Sequence, residues 1–154
     1  MKHLGVAPCL VGAVLLASCG AEQEPPPPMH PVGDMKETMD WVLDPAADVI
    51  WGFAGFVMTA EGTTDLAPKS EEDWAEVKHA AWVLAESGNL LMMPGLAKDN
   101  ADWMEYSQGL TTMGNRLIEV AEAQDPDSLF EAGGHLYNIC LACHQAYARE
   151  LRQD

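Results

Sequence analysis

From Asp34 onward the apolar positions fall at helical steps, and no alternating apolar and polar run exceeds a few residues. The expected class is all-α. The first segment carries Met35, Met39, Val42, Ala46, Val49, Ile50, Phe53 and Phe56 at short helical intervals. Pro45 interrupts it. Asp44 and Pro45 have the form of an N-cap and a first-turn proline, which predicts either a kink between Trp41 and Pro45 or a division into a short and a longer helix. The stretch "EGTTDLAPKS" reads as a loop, and Ser70, followed by Asp73, as the start of the next helix. That helix places Trp74, Val77, Ala81, Leu84, Gly88 and Leu91 on one stripe and ends at "MMPG".

A third helix is expected from about Asn100 to Gln124, with Trp103, Leu110, Met113, Leu117 and Val120 inward. In "QDPDS", Asp125 and Pro126 repeat the cap-plus-proline form and open a fourth helix reaching about Arg152. Its inward face holds Leu129, Gly133, Leu136, Cys140, Cys143, Tyr147 and Leu151. Four amphipathic helices joined by short or medium loops predict an antiparallel four-helix bundle.

The N-terminus has a different build. Lys2 precedes an apolar run, Leu4 to Leu16, too short to span a bilayer at about 20 residues and suited to an export signal. The run ends in "LASCG", which resembles the lipobox of bacterial lipoproteins, and that resemblance implies lipidation of Cys19. Residues 1–18 are thus expected to be a signal peptide, 19–33 a lipidated cysteine with a proline-rich linker, and 34–154 the helical domain. Gly20 after the cysteine resembles the pattern sent to the outer membrane, on the periplasmic side. Pro25 to Pro28 and Pro31 favour an extended spacer of about 3 Å per residue, in which His30 is solvated.

A chain of 154 residues, 48% hydrophobic, holds one core and leaves no room for a multidomain enzyme. Its 24 acidic against 8 basic residues give a formal charge of -16. This argues against nucleic acid or an anionic membrane surface as partner and favours a basic protein, with the membrane met only through the lipid.

The candidate chemistry lies in "NICLACHQAY". Cys140 and Cys143 share a helix face about 5 Å apart, and His144 is rotated roughly 100° from the second. Two thiols so placed can bond the vinyl groups of a tetrapyrrole while the adjacent imidazole reaches the iron, the known use of CxxCH. Three other readings compete. A thioredoxin-like CxxC needs a strand before it and a helix N-terminus beneath it. A zinc site needs four ligands, with His135 a candidate fourth, and consecutive Cys143 and His144 strain a tetrahedral centre. A disulfide between cysteines one helical turn apart misses the preferred torsion. Haem is the expected occupant.

"CLACHQAYAR" on the last helix of a four-helix chain is similar to the class II c-type cytochromes, the cytochrome c prime family, which end in a CHxxYR-like motif. The resemblance also takes in Met35 and Met39 on the first helix and "DWMEYSQGL" on the third. It implies one covalent haem c, with Cys140 and Cys143 as thioether residues and His144 as proximal iron ligand. The family's basic residue usually stands where this chain has Ala148, and Arg149 comes one later. The family often forms dimers through its first two helices, so a homodimer is implied as well.

In that family the first helix covers the distal face of the haem. A methionine sulfur there gives a six-coordinate iron of raised potential, and an aliphatic group leaves an open site for small gases. Met39 is the preferred distal ligand, with Met35 one turn away, although both also suit plain core packing. The five tryptophans are expected in the core and the pocket walls, and Met58, Met92, Met93, Met104 and Met113 in packing. His79 and His135 are expected at the surface, and Lys36, Arg116, Arg149 and Arg152 are the cations available to haem propionates. The expected function is a monohaem one-electron carrier, not an enzyme. The alternatives are a haem protein that binds nitric oxide or carbon monoxide, and a haem-free or zinc-binding lipoprotein.

Overall fold

A computed structural model describes residues 28–148. The signal segment, Cys19, Arg149, Leu151 and Arg152 lie outside the described residues. The elements in order are α1 (Met35–Thr38), a π-helical turn (Met39–Leu43), α2 (Asp44–Phe53), strands β1 (Phe56–Thr59) and β2 (Gly62–Asp65), and helices α3 (Glu71–Leu91), α4 (Asp102–Ala123) and α5 (Pro126–Tyr147). The chain is all-α with one small hairpin among the described residues. No helix among them is long and apolar enough to cross a membrane.

Local chemistry explains where the helices begin. Ser70 accepts from the Asp73 amide while the Asp73 carboxylate accepts from the Ser70 amide, so α3 opens on a full capping box. Asp34 and Glu37 do the same for α1. Asp125 caps α5 by accepting from the amides of Asp127 and Ser128, with Pro126 just inside. Between α4 and α5 the chain reverses through Gln124 alone, whose left-handed φ of 51° closes α4.

The first helical stretch departs from expectation. Asp44 is not a cap, because the chain is already helical at Leu43 and continues through Pro45 without a break. The irregularity is a single wide turn in which the Asp44 amide donates to the Met39 carbonyl. Phe56 does not extend this helix. It lies in β1, half-exposed, and its ring stacks on Phe130 of α5 at 6.3 Å. The segment read as a loop forms the second strand, paired antiparallel from Phe56 with Asp65 to Thr59 with Gly62. Gly62 takes a φ of +145°, which disfavours a side chain.

The core fills the space between α2, α3, α4 and α5, each of which packs on two of the others in the ring α2, α3, α4, α5. Ile50, Val77, Leu84, Leu117, Leu129 and Leu136 are its fully buried side chains. Every residue of the expected α3 stripe is buried, as are all five on α4. Two tryptophans depart from the expectation of burial: Trp41 is 78% and Trp82 52% exposed, on the outer faces of their helices. Met58 is 73% exposed on the hairpin, which has only one side covered. Trp74 and Trp103 are core residues, and the Trp103 indole N–H donates to the Leu91 carbonyl at 2.8 Å, satisfying the end of α3.

Helices α3 and α4 make the most extensive contact, because small residues let their backbones meet. A β-carbon added at Gly114 would stand 2.5 Å from the Ala85 nitrogen and 2.6 Å from its α-carbon. One at Gly88 would stand 2.5 Å from the Ser107 carbonyl oxygen. The Thr111 hydroxyl donates to the Ala85 carbonyl at 3.1 Å across the same seam, and Lys78 pairs with Glu122 at its edge. Gly114→Ala forces backbone apart and should lower stability by about 1–3 kcal/mol, measured by urea unfolding. Gly109→Ala, where a β-carbon meets nothing within 4 Å, should leave stability unchanged or raise it by up to about 1 kcal/mol.

Candidate functional site

Residues separated widely in the chain converge on one cleft of about 370 Å³ between the first helical arm and α5, floored by α3 and α4. The arm contributes Met39, Leu43, Asp44, Ala47 and Trp51. Helix α3 contributes Leu84 and Leu91, and α4 contributes Tyr106, Ser107 and Leu110. Helix α5 supplies Cys140, Cys143 and His144 together with Tyr137, Ile139 and Leu141. The volume lies in the range of small-molecule and cofactor sites, about 300–1,000 Å³, and the lining is mainly apolar as such sites are.

The cleft's shape follows from where the arm and α5 touch. A β-carbon at Gly133 would come 2.9 Å from that of Ala54, and the Trp51 indole N–H donates to the Gly133 carbonyl at 3.1 Å. Trp51 also meets Tyr137 edge-on at 6.2 Å. Past this junction α5 continues for about 10 Å from Gly133 to Cys140, at 1.5 Å per residue. The cleft opens there.

Both cysteines are free, partly buried and deep inside a helix. Burial pushes the Cys140 thiol up to about 11, helped by its neighbour Cys143 and by Asp44. Burial raises Cys143 in the same direction. Both sulfurs are therefore held as neutral thiols at physiological pH, the opposite of a thioredoxin-like nucleophile, which sits at a helix N-terminus and is activated by it. His144 is half-buried on the cleft wall beside them. Among the described residues, no three His, Cys, Asp or Glu side chains are grouped so as to hold a metal ion by themselves.

Of the two methionines weighed for the opposite wall, Met39 lines the cleft. Met35 packs against the core one turn earlier and is not among the lining residues. His30, His79 and His135 are exposed and stand apart from the cleft. Lys36 pairs with Asp40 and Arg116 with Glu119, both at the surface.

Comparisons with family models, with curated proteins and with solved structures found no match to this chain. What the cleft can do chemically follows from its own side chains. Two neutral thiols and an imidazole on one turn, faced by a thioether and surrounded by leucines, fit a flat apolar cofactor bonded at its edge and ligated on one or both faces.

Several contributors carry no motif. Asp44 is the one acidic side chain on the lining, and its position before Pro45 suggested a cap instead. Asp99 and Tyr147 are also unmarked in sequence. The Tyr147 hydroxyl donates to the Asp99 carboxylate, which further accepts from the amides of Ala101 and Trp103. The Tyr147 ring packs edge-on against Trp103 at 5.0 Å. The loop before α4 is thereby tied to the turn of α5 that carries His144.

This tie sets two pH edges. The Asp99 carboxylate holds the Tyr147 proton, pushing that phenol up to about 12 from an ordinary tyrosine value of about 10. The contact stabilises fully below the ordinary value and is lost as pH rises through about 12. Asp99 is shifted the other way, chiefly by the Tyr147 hydrogen bond, so its contribution is present above the ordinary aspartate range and lost as pH falls through its lowered value. Tyr147→Phe should abolish a tyrosine ionisation near pH 12 in the ultraviolet titration and speed amide exchange in the last turn of α5. Unchanged exchange in that turn would mean the contact does not hold it.

Proposed function

We propose that this protein is an exported, lipid-anchored c-type cytochrome that carries one electron on a single covalent haem c. In this reading the helices form an antiparallel four-helix bundle of the cytochrome c prime kind. The observation that carries it is the convergence of Cys140, Cys143 and His144 on one side of an apolar cleft with Met39 on the other. Haem c, when bound, supplies the one-electron iron couple.

The chain's own residues hold, orient and insulate. Cys140 and Cys143 anchor the cofactor's edge through thioether bonds, which suits thiols kept reduced and neutral. His144 is the proximal ligand and Met39 the distal one. Leu43, Ala47, Leu84, Leu91 and Leu110 exclude water from the cleft. A low-dielectric wall disfavours the more positive oxidised iron, and a thioether ligand acts in the same direction. Met39 in the cleft supports electron transfer over the gas-binding alternative, which needs an open distal side.

The remaining parts serve placement. Cys19 carries the lipid on the periplasmic side of the outer membrane, and the proline-rich segment spaces the helical domain from it. A charge of -16 favours a basic redox protein as partner and disfavours nucleic acid.

The deciding experiment is expression of the full chain in a host able to attach haem. A haem mass should remain on the protein after acid-acetone extraction and disappear in a variant carrying both Cys140→Ser and Cys143→Ser. A wild-type protein without bound haem would defeat the proposal. The oxidised protein should give a low-spin electron paramagnetic resonance spectrum that Met39→Ala converts to high spin. A high-spin wild type would instead support the gas-binding function. Transfer to a basic partner should slow as ionic strength rises, because steering is screened over about 8–10 Å.

A further inference from the structure

We infer that the π-helical turn at Met39–Leu43 is what places Met39 in the cleft, with Pro45 as the positioning residue that maintains it. The inference rests on the reading of Met39 as an iron ligand and explains how the arm presents it. The evidence is a repeat in burial. Thr38 is buried, and Met35, Met39 and Val42 pack partly buried on the core. Eight residues on from Met35, Thr38, Met39 and Val42 stand Leu43, Ala46, Ala47 and Ile50, all buried.

A regular α-helix does not repeat a face at eight. At about 100° per residue a step of seven returns to within about 20°, whereas a step of eight falls about 80° away. One additional residue in a π turn makes eight act as seven. Without it, the residue seven before Ala47 is Asp40, which stands at the surface paired with Lys36. A continuous α-helix would therefore turn a carboxylate toward the wall formed by Ala47 and Trp51 and move Met39 to its shoulder.

Pro45 accounts for the turn's position. In α-helical register its ring would press on the carbonyl of Trp41 and it has no N–H to offer. The wide turn closes one residue earlier, with the Asp44 amide donating to the Met39 carbonyl. The ligand's own backbone thus belongs to the hydrogen bond that sets its direction.

Two variants of the full haem-bearing protein test this. Pro45→Ala permits the α register, and most of the low-spin signal should convert to high spin while circular dichroism stays helical. Deleting the exposed Trp41 in the Pro45→Ala background restores an effective step of seven and should bring the low-spin signal back. A purely structural role for Pro45 predicts no such rescue. A low-spin Pro45→Ala protein, or a folded deletion variant that stays high-spin, would overturn the inference. If Met39→Ala leaves the wild-type spectrum unchanged, the ligand reading fails separately. The register is then judged on a crystal structure of the Pro45→Ala protein, where persistence of the Asp44 to Met39 hydrogen bond refutes the inference.

Discussion

The close approach of α3 and α4 is the constraint on which the rest depends. Gly88 and Gly114 bring backbone against backbone, and Thr111 ties the seam with a hydrogen bond to Ala85. Packing this tight on one side leaves the other side free to open, because α2 and α5 rest on the α3 and α4 pair more than on each other. They meet firmly only near Gly133, where Ala54 and the Trp51 indole close the gap. Seven residues further along α5 stands Cys140, and the space there is the cleft. Small residues at two junctions thus determine where the molecule has room for a ligand.

The helices and their starts were legible because their signals are local. Ser70 with Asp73 and Asp125 with Pro126 satisfy specific backbone amides, and the α3 and α4 stripes report burial directly. The cysteines and histidine were legible for the same reason, being close neighbours on one helix. The hairpin was not, since β1 and β2 are exposed at every position and carry no alternation to read. Trp41 and Trp82 misled because size and apolarity suggest burial, whereas their helical phase turns them to solvent. Pairings such as Tyr147 with Asp99 join residues far apart in sequence and leave no spacing to detect.

The arm is the instructive case between these extremes. Its apolar positions were visible, and a disturbance near Pro45 was expected, but a kink and a π turn predict different faces. A kink alters direction and keeps the seven-residue repeat. A π turn keeps the helix nearly continuous and lengthens the repeat to eight, the interval linking Met35 to Leu43 and Met39 to Ala47. The interval was present in the sequence. Only the hydrogen bond from Asp44 to Met39 shows why it departs from seven.

The same arm carries the charges that face outward, and it separates two electrostatic tasks. Glu37, Asp40, Asp44 and Asp48 are all exposed, where water and salt screen each of them strongly. Such charges act on an approaching protein through their sum but alter the energy of a buried group weakly. Groups inside the cleft act at contact distance through a medium of low dielectric, where an equal charge weighs several times more. The tuning of anything held there therefore belongs to the leucines, the thioether and the imidazole, and the choice of partner belongs to the acidic exterior. Asp44 stands on the boundary, exposed yet on the lining, and its effect on Cys140 is smaller than that of burial and of Cys143. That ordering places the control of the site with its apolar wall.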